Sequence, residues 1–280
     1  NRINPEIGTK REYESFCKRL SNRGMGQIID FVPNHMSIFY NPKWRDVLEN
    51  GEYSPFACFF DINWNPPFCY LYRKVLLPLL EDNYGSVLKK GLIKLNFGNG
   101  EFTFRYRGHN LPVDIITVIP MLKRCIEYTA EYEFSNFSEM DKLNNSITSL
   151  NDYLKQTIIA ELESNILIKK NNILKKALIK ACLKLPEFFR IIAEEVKRLN
   201  ENIEEIHILL EQQHYRLTYW RNAFEEINYR RFFDINDMAA LRLENQFVYD
   251  EIHELLFDLI SKGIITGIRI DHIDGLYNPE

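Results

Sequence analysis

The chain has 280 residues, 45% of them hydrophobic and 26% charged, which allows a large core in one or two domains and excludes a disordered or fibrous chain. A formal net charge of −4, with Lys and Arg scattered through helical segments, gives no basic stripe and argues against nucleic acid as a partner. No apolar run reaches the length of a membrane span and no signal peptide opens the sequence, so no membrane partner and a cytoplasmic location are expected. Five cysteines, odd in number and without C-x-x-C spacing, read as free thiols in a reducing compartment. The 15 Tyr, 19 Phe and 3 Trp would suit a sugar-binding cleft, although most aromatics in any protein fill core. Asn1-Arg2-Ile3-Asn4-Pro5 opens as a loop without an initiator Met, and Asn278-Pro279-Glu280 stops directly after a strand pattern. An internal fragment of a longer protein is expected.

In chain order, residues 9–23 read as a helix. Thr9 is the N-cap, Glu12 completes a capping box, Tyr13, Phe16, Cys17 and Leu20 form an apolar stripe, and Gly24 stops it. Residues 25–32 read as a buried strand ending in Pro33-Asn34-His35, which makes one helix–strand step of a parallel α/β fold. Residues 36–118 are irregular and aromatic and read as an inserted subdomain, with a short helix over 74–80 and a hairpin over 93–105 turning at Gly98-Asn99-Gly100. The pattern over 119–217 is helical. A stripe of Leu143, Ile147, Leu150, Leu154, Ile158, Leu162 and Ile166 is interrupted at Asn171-Asn172, and Pro186 opens a further helix over 187–211. No heptad persists, so a packed bundle is expected over a coiled coil. Residues 218–280 return to the α/β pattern. An Arg- and aromatic-rich segment precedes an amphipathic helix over 246–262, and Gly263 leads into a strand over 264–270 that also reads as buried on both faces.

Chemistry gathers at the ends of the two strands. Arg269 and Asp271 lie two apart on a strand and so point to one side, where a guanidinium would hold the carboxylate ionised and oriented. That is the state a glycosidase nucleophile needs. A structural ion pair is the plain alternative for an isolated R-x-D. His109, His207, His214 and His253 have no partners at ligand spacing, so no metal is expected, and no motif calls for a cofactor.

Asp30-Phe31-Val32-Pro33-Asn34-His35 followed by Gly267-Ile268-Arg269-Ile270-Asp271 resembles the first two signatures of the α-amylase clan, glycoside hydrolase family 13. The longer string through His272-Ile273-Asp274-Gly275-Leu276 looks like the maltooligosyl trehalose synthase family within that clan. So do Tyr229-Arg230-Arg231-Phe232-Phe233-Asp234-Ile235-Asn236, Tyr219-Trp220-Arg221, Phe59-Phe60-Asp61-Ile62-Asn63-Trp64 and the opening Arg2-Ile3-Asn4-Pro5-Glu6-Ile7-Gly8. The helical stretch at 125–210 carries no motif.

The resemblance implies part of a TIM (β/α)₈ barrel, with strand 3 and strand 4 separated by a large, mainly helical insertion. It implies a retaining isomerase that converts the reducing-end α-1,4 link of a maltooligosaccharide into an α,α-1,1 link. Asp271 falls on the nucleophile and Arg269 on the residue that orients it. Asp30 and His35 fall around the reacting glucose, His272 and Asp274 on the same loop, and Asn34 braces it. Arg230, Arg231 and Asp234 stand near the site, with a buried ion-pair network as their structural role. Asp274-Gly275 replaces the Lys-His of many amylases, and Asn63 stands where the synthase pattern has an acid. The signatures carrying the general-acid Glu and the second Asp are expected beyond residue 280, so the segment alone should not turn over. A glucan hydrolase or transferase of the same clan, or a non-catalytic remnant, are the alternatives. Trp44, Trp64 and Trp220 read as core more readily than as sugar platforms.

Overall fold

A computed structural model of the chain describes residues 3–131, 137–157 and 163–279, and divides it into two compact units. The first unit joins Asn1–Phe39, Cys58–Asp61 and Tyr229–Glu280; the second joins Tyr40–Ala57 and Ile62–Asn228.

The first unit opens with the helix Lys10–Ser21. Its capping box is complete: the Thr9 hydroxyl accepts from the Glu12 N–H, and the Glu12 carboxylate accepts from the Thr9 N–H at 2.7 Å. Such a cap contributes about 1 kcal/mol to helix stability. Strand Ile28–Phe31 pairs in parallel with Gly267–Ile270, in a register that sets Ile28 opposite Gly267 and Asp30 opposite Arg269. Helix Gln246–Ser261, capped by the Asn245 side chain, precedes the second strand, and Gly263 supplies the left-handed turn (φ +62°) that ends it. Leu256, Leu259 and Ile265 form a core against which Tyr13, Ile29 and Phe31 pack. Lys10 on one helix pairs with Asp258 on the other at 3.0 Å. The strands are shorter than the apolar runs imply, and they are not covered on both faces. Ile29 and Phe31 turn to the helices, while Ile28 is 72% and Ile270 53% exposed. With helices packed on one side, alternate residues of Ile28–Phe31 are half-buried, whereas Ile268, Arg269 and Ile270 are all exposed; the β-branched run alone does not report how many neighbours a strand has. A separate antiparallel sheet orders His35–Ser37, Ile235–Ala240 and Arg231–Phe232 side by side, with Ile235–Ala240 in the middle.

In the second unit, the expected hairpin is present as Ile93–Gly98 and Glu101–Tyr106, with Gly98 opposite Glu101. Asn99 and Gly100 take φ of +54° and +77°, the pair of left-handed residues a two-residue hairpin turn requires. Three expectations change. Residues 74–80 form no helix: Val75–Leu80 is a buried strand, parallel to Tyr215–Tyr219, with Pro78 where the register shifts. Asn171-Asn172 lies inside the helix Ser164–Lys184, and the helix expected over 187–211 is two, Pro186–Glu201 and Ile203–Glu211, divided at Asn202. There the Asn202 side chain accepts from the Glu204 N–H at 3.1 Å, so a cap restarts the helix. The stripe of the helix Phe137–Gln156 buries Leu143, Ile147 and Leu150 completely, while Ile158 and Leu162 lie outside the described residues.

Two carboxamides, the half-buried Asn200 and the buried Asn228, stitch this unit. The Asn200 side chain both donates to and accepts from the main chain of Leu95, at 2.8 Å each way. Asn228 Nδ2 donates to the carbonyls of Asn63 (2.9 Å) and Lys74 (2.7 Å), and its Oδ1 accepts from the Leu76 N–H at 2.9 Å. Each amide satisfies main-chain groups that would otherwise be stranded away from water. Among the described residues no helix is long and apolar enough to cross a membrane.

Candidate active site

The parallel ladder brings both strand ends of the first unit together, and the Asp271 N–H continues it by donating to the Phe31 carbonyl at 3.0 Å. The ion pair recorded for Arg269 is not with Asp271. Its Nε stands 2.8 Å from Asp30 Oδ1, with both side chains more than half exposed. Register explains the choice: a directly paired strand lies about 4.8 Å away, whereas two residues along one strand span about 6.6 Å. Asp271 faces His272, whose Nε2 lies 3.4 Å from Asp271 Oδ2. His272 itself adopts a left-handed backbone (φ +56°), which turns the chain into the tight Ile273–Gly275 turn.

Two imidazoles and a phenyl ring assemble beside this carboxylate. His35 stacks on Phe232 with ring centroids 3.9 Å apart, and His272 meets the same ring edge-on at 4.5 Å. The two imidazole centroids are 5.9 Å apart. Burial, with the neighbouring His272 adding to it and Asp271 opposing, holds His35 below the usual imidazole range. His35 Nδ1 is buried without a hydrogen-bond partner in the protein.

Asn34 is 2% exposed, and its carbonyl accepts from the Leu241 N–H at 2.9 Å. A Cβ added to Gly275 would stand 2.2 Å from Asn34 Nδ2, so the absence of a side chain at 275 is what lets the loop close on this amide. Arg230 ties the same loop down. Its Nη1 donates to the Gly275 carbonyl at 2.6 Å, its Nη2 to the Leu241 carbonyl at 2.9 Å, and its Nε pairs with Asp61 at 3.0 Å. Arg231 donates to the Asp234 carbonyl at 3.0 Å and to the Asn236 side chain, so Asp234 contributes its main chain rather than a charge. The ion-pair network expected of these three residues reduces to the Arg230–Asp61 pair. Asp274 is exposed at the turn.

The structure thus gathers Asp30, Arg269, Asp271, His272 and His35 at one end of one sheet, with Asn34 and Arg230 beneath the loop. Sequence reasoning assigns no role to Asp61 or Phe232, which stand only inside longer strings, or to Gly275, which stands only as a departure from the amylase pattern. The string Phe59-Phe60-Asp61 carried a signal for the first, but a stacking partner and a close approach need the third dimension. Elsewhere, Trp44 is buried and Trp220 is 43% exposed. Asn63 holds a local turn, its Oδ1 accepting from the Asn65 N–H at 3.0 Å. His207 contacts the Tyr84 hydroxyl, His214 lies 3.3 Å from Asp114, and His253 Nδ1 meets the Tyr249 carbonyl at 2.7 Å. Among the described residues no His, Cys, Asp and Glu group is arranged to hold a metal ion.

No family model matches the chain. Over 100 residues it is 29% identical to an intracellular maltogenic amylase of Bacillus subtilis, covering 35% of this chain and 15% of that protein. Over nearly the whole chain the relatives are narrower. A Mycobacterium tuberculosis protein with the provisional name maltooligosyl trehalose synthase is 24% identical over 280 residues, 99% of this chain and 24% of its own length. A solved glycosyltrehalose synthase from DSM5389 is 30% identical with a TM-score of 0.59, covering 99% of this chain and 26% of that one. A crystal structure of maltooligosyl trehalose synthase gives 25% identity and a TM-score of 0.59 over all of this chain and 25% of its own. The chain is a relative of the maltooligosyl trehalose synthases and spans about a quarter of the length of those it matches.

Proposed function

We propose that this chain is the nucleophile-bearing part of a (1→4)-α-D-glucan 1-α-D-glucosylmutase. Such an enzyme converts the reducing-end α-1,4 link of a maltooligosaccharide to α,α-1,1 with retention. The observation that supports this most is the parallel pairing that sets Asp30 beside Arg269 and delivers Asp271 one residue beyond the strand end. In this reading the two strands are neighbours in a (β/α)₈ barrel, and the loops at their carboxyl ends form its catalytic face.

Retention proceeds through a carboxylate nucleophile and a protonated carboxylic acid about 5–5.5 Å apart. Asp271 is the nucleophile: it attacks the anomeric carbon to form a glycosyl ester while the α-1,4 bond to the reducing-end glucose breaks. The released O4 takes its proton from the carboxylic acid, which takes a proton back when the freed glucose attacks the ester and restores the Asp271 carboxylate. Arg269 and Asp30 neutralise one another, leaving Asp271 the charge that meets the oxocarbenium-like transition state. A neutral His35, held against Phe232 with its Nδ1 buried, exchanges a hydrogen bond with a glucose hydroxyl through its other ring nitrogen, Nε2. Isomerisation rather than hydrolysis then requires that the cleaved glucose turn and attack through its own anomeric hydroxyl before water arrives.

The test is a reducing-end assay on maltopentaose, with mass spectrometry, using the full-length protein that carries this segment. Loss of reducing power at unchanged mass, abolished by Asp271→Asn, is the expected result. New reducing ends with shorter products would replace the mutase by the second reading, an α-glucan hydrolase, which the similarity to a maltogenic amylase favours.

A further inference from the structure

The hairpin turn after Phe232 departs from ordinary sequence rules at one residue. Phe232 pairs with Ile235 in the antiparallel sheet, so Phe233 and Asp234 form a two-residue turn, and Phe233 takes a left-handed backbone at φ +52°. Turns of this length that are left-handed at their first residue call for Gly, Asn or Asp, and a bulky side chain there is a steric outlier. Burial does not compensate, because Phe233 is 68% exposed. A lone exposed phenyl ring is ordinary on a protein surface. One held out on a backbone that disfavours it is not, and such strain gathers at functional sites.

The ring has a defined setting. Arg231 fastens the turn from within, donating to the Asp234 carbonyl at 3.0 Å and to the Asn236 side chain. Phe232, stacked on His35, meets the Phe233 ring edge-to-face with centroids 4.5 Å apart. The His272 imidazole stands perpendicular to Phe233 at 6.4 Å, and its Nε2 lies 3.4 Å from Asp271 Oδ2. Phe233 therefore adds an exposed apolar ring to a carboxylate and two imidazoles, groups that bind hydroxyls. A pyranose matches that combination, with hydroxyls around its rim and an apolar C–H face that the electron-rich face of an aromatic ring attracts. An anion would be repelled by Asp271, and a wholly apolar ligand would strip water from the polar groups without replacing it.

We infer that Phe233 decides between isomerisation and hydrolysis: its ring covers the C–H face of a glucose unit beside Asp271 and shuts water out from the glycosyl ester. The inference rests on the mutase reading. In the competing step water attacks the ester in place of the freed glucose. That gives a shortened chain and free glucose, restores the Asp271 carboxylate and returns a proton to the carboxylic acid. The test is Phe233→Gly in the full-length protein, a change that removes the ring and relieves the backbone. With Asp271→Asn added to stop turnover, the Kd for maltopentaose by isothermal titration calorimetry should rise about two- to tenfold, the loss of one aromatic contact. In the active background the ratio of released glucose to isomerised maltopentaose should rise severalfold. Phe233→Tyr, which keeps the ring, should restore both. The melting temperature of Phe233→Gly should equal or exceed that of its parent, which a ring with a merely structural role would not allow. A lower melting temperature, an unchanged Kd, or an unchanged product ratio in a parent that isomerises would overturn the inference. A parent that fails to isomerise maltopentaose, with the Kd still raised by Phe233→Gly, would remove the mutase and keep the glucose platform.

Discussion

Replacing Gly275 by alanine tests the description of the loop that follows Asp271, because two effects of opposite sign compete. Gly275 has no left-handed backbone, so alanine there would ordinarily stabilise the protein by about 0.4–1 kcal/mol through the unfolded chain. Against this, the new methyl would stand 2.2 Å from Asn34 Nδ2 and 2.8 Å from its Cγ, more than 1 Å inside ordinary contact. Asn34 is 2% exposed and cannot swing into solvent, so the loop must move. Overpacking costs about 1–3 kcal/mol, and moving the Gly275 carbonyl away from the Arg230 guanidinium 2.6 Å away forfeits a charge-assisted bond worth about 1.5–3 kcal/mol. The net expectation is a loss of about 2–4 kcal/mol, measured by guanidinium chloride unfolding with far-ultraviolet circular dichroism. Native-state exchange should place the loss at residues 272–276. Truncating the obstruction in Asn34→Ala/Gly275→Ala should recover at least about 1 kcal/mol as a coupling energy. A Gly275→Ala protein as stable as its parent, or more so, would refute the close approach.

Further expectations follow from the same physics. Asn228→Leu leaves the Asn63 and Lys74 carbonyls and the Leu76 N–H without partners and should cost about 3 kcal/mol, read by tryptophan fluorescence in urea. A cost under about 1 kcal/mol would mean that water reaches these groups. His35 is held below its unfolded value near 6.5, so the unfolded chain binds more protons in that interval. Stability should therefore rise with pH through the interval and fall as pH drops below about 6.5; His35→Phe should flatten that slope, and an unchanged slope would assign it elsewhere. Burial pushes the thiols of Cys125 and Cys182 up to about 12, so iodoacetamide should label exposed Cys69 first and leave those two unmodified in the native protein. Equal labelling in a peptide map would contradict the burial of Cys125 and the half-burial of Cys182.

Much of the local structure was legible because it is written in adjacent residues. Thr9 and Glu12 specify a capping box three residues apart, and Asn99-Gly100 specifies its hairpin turn without help from the rest of the chain. Val75–Leu80 was not legible, because a short apolar run serves a buried strand or a helix equally well and its partner Tyr215–Tyr219 lies far along the chain. The candidate site divides the same way. Its residue types could be read from the two strand-end strings. The partner of Arg269 could not, since it depends on register and falls across the sheet on Asp30. The roles of Asn200 and Asn228 were equally hidden, because an amide standing in for a missing strand leaves no periodic trace.

The pairing of Ile28–Phe31 with Gly267–Ile270 also has a history in time. Gln27 and Thr266, which bond at its edge, are 239 residues apart, and closing so long a loop costs about 5 kcal/mol on the logarithmic loop law. About three quarters of that loop is the second unit, whose hairpin, helices and parallel pair lie wholly inside it. During synthesis at about 5–20 residues per second, those elements leave the ribosome many seconds before Gly267 does. Folding of the intervening unit shortens the effective tether before the strand Gly267–Ile270 arrives. Arg269 therefore meets Asp30 only after the intervening unit has been synthesised.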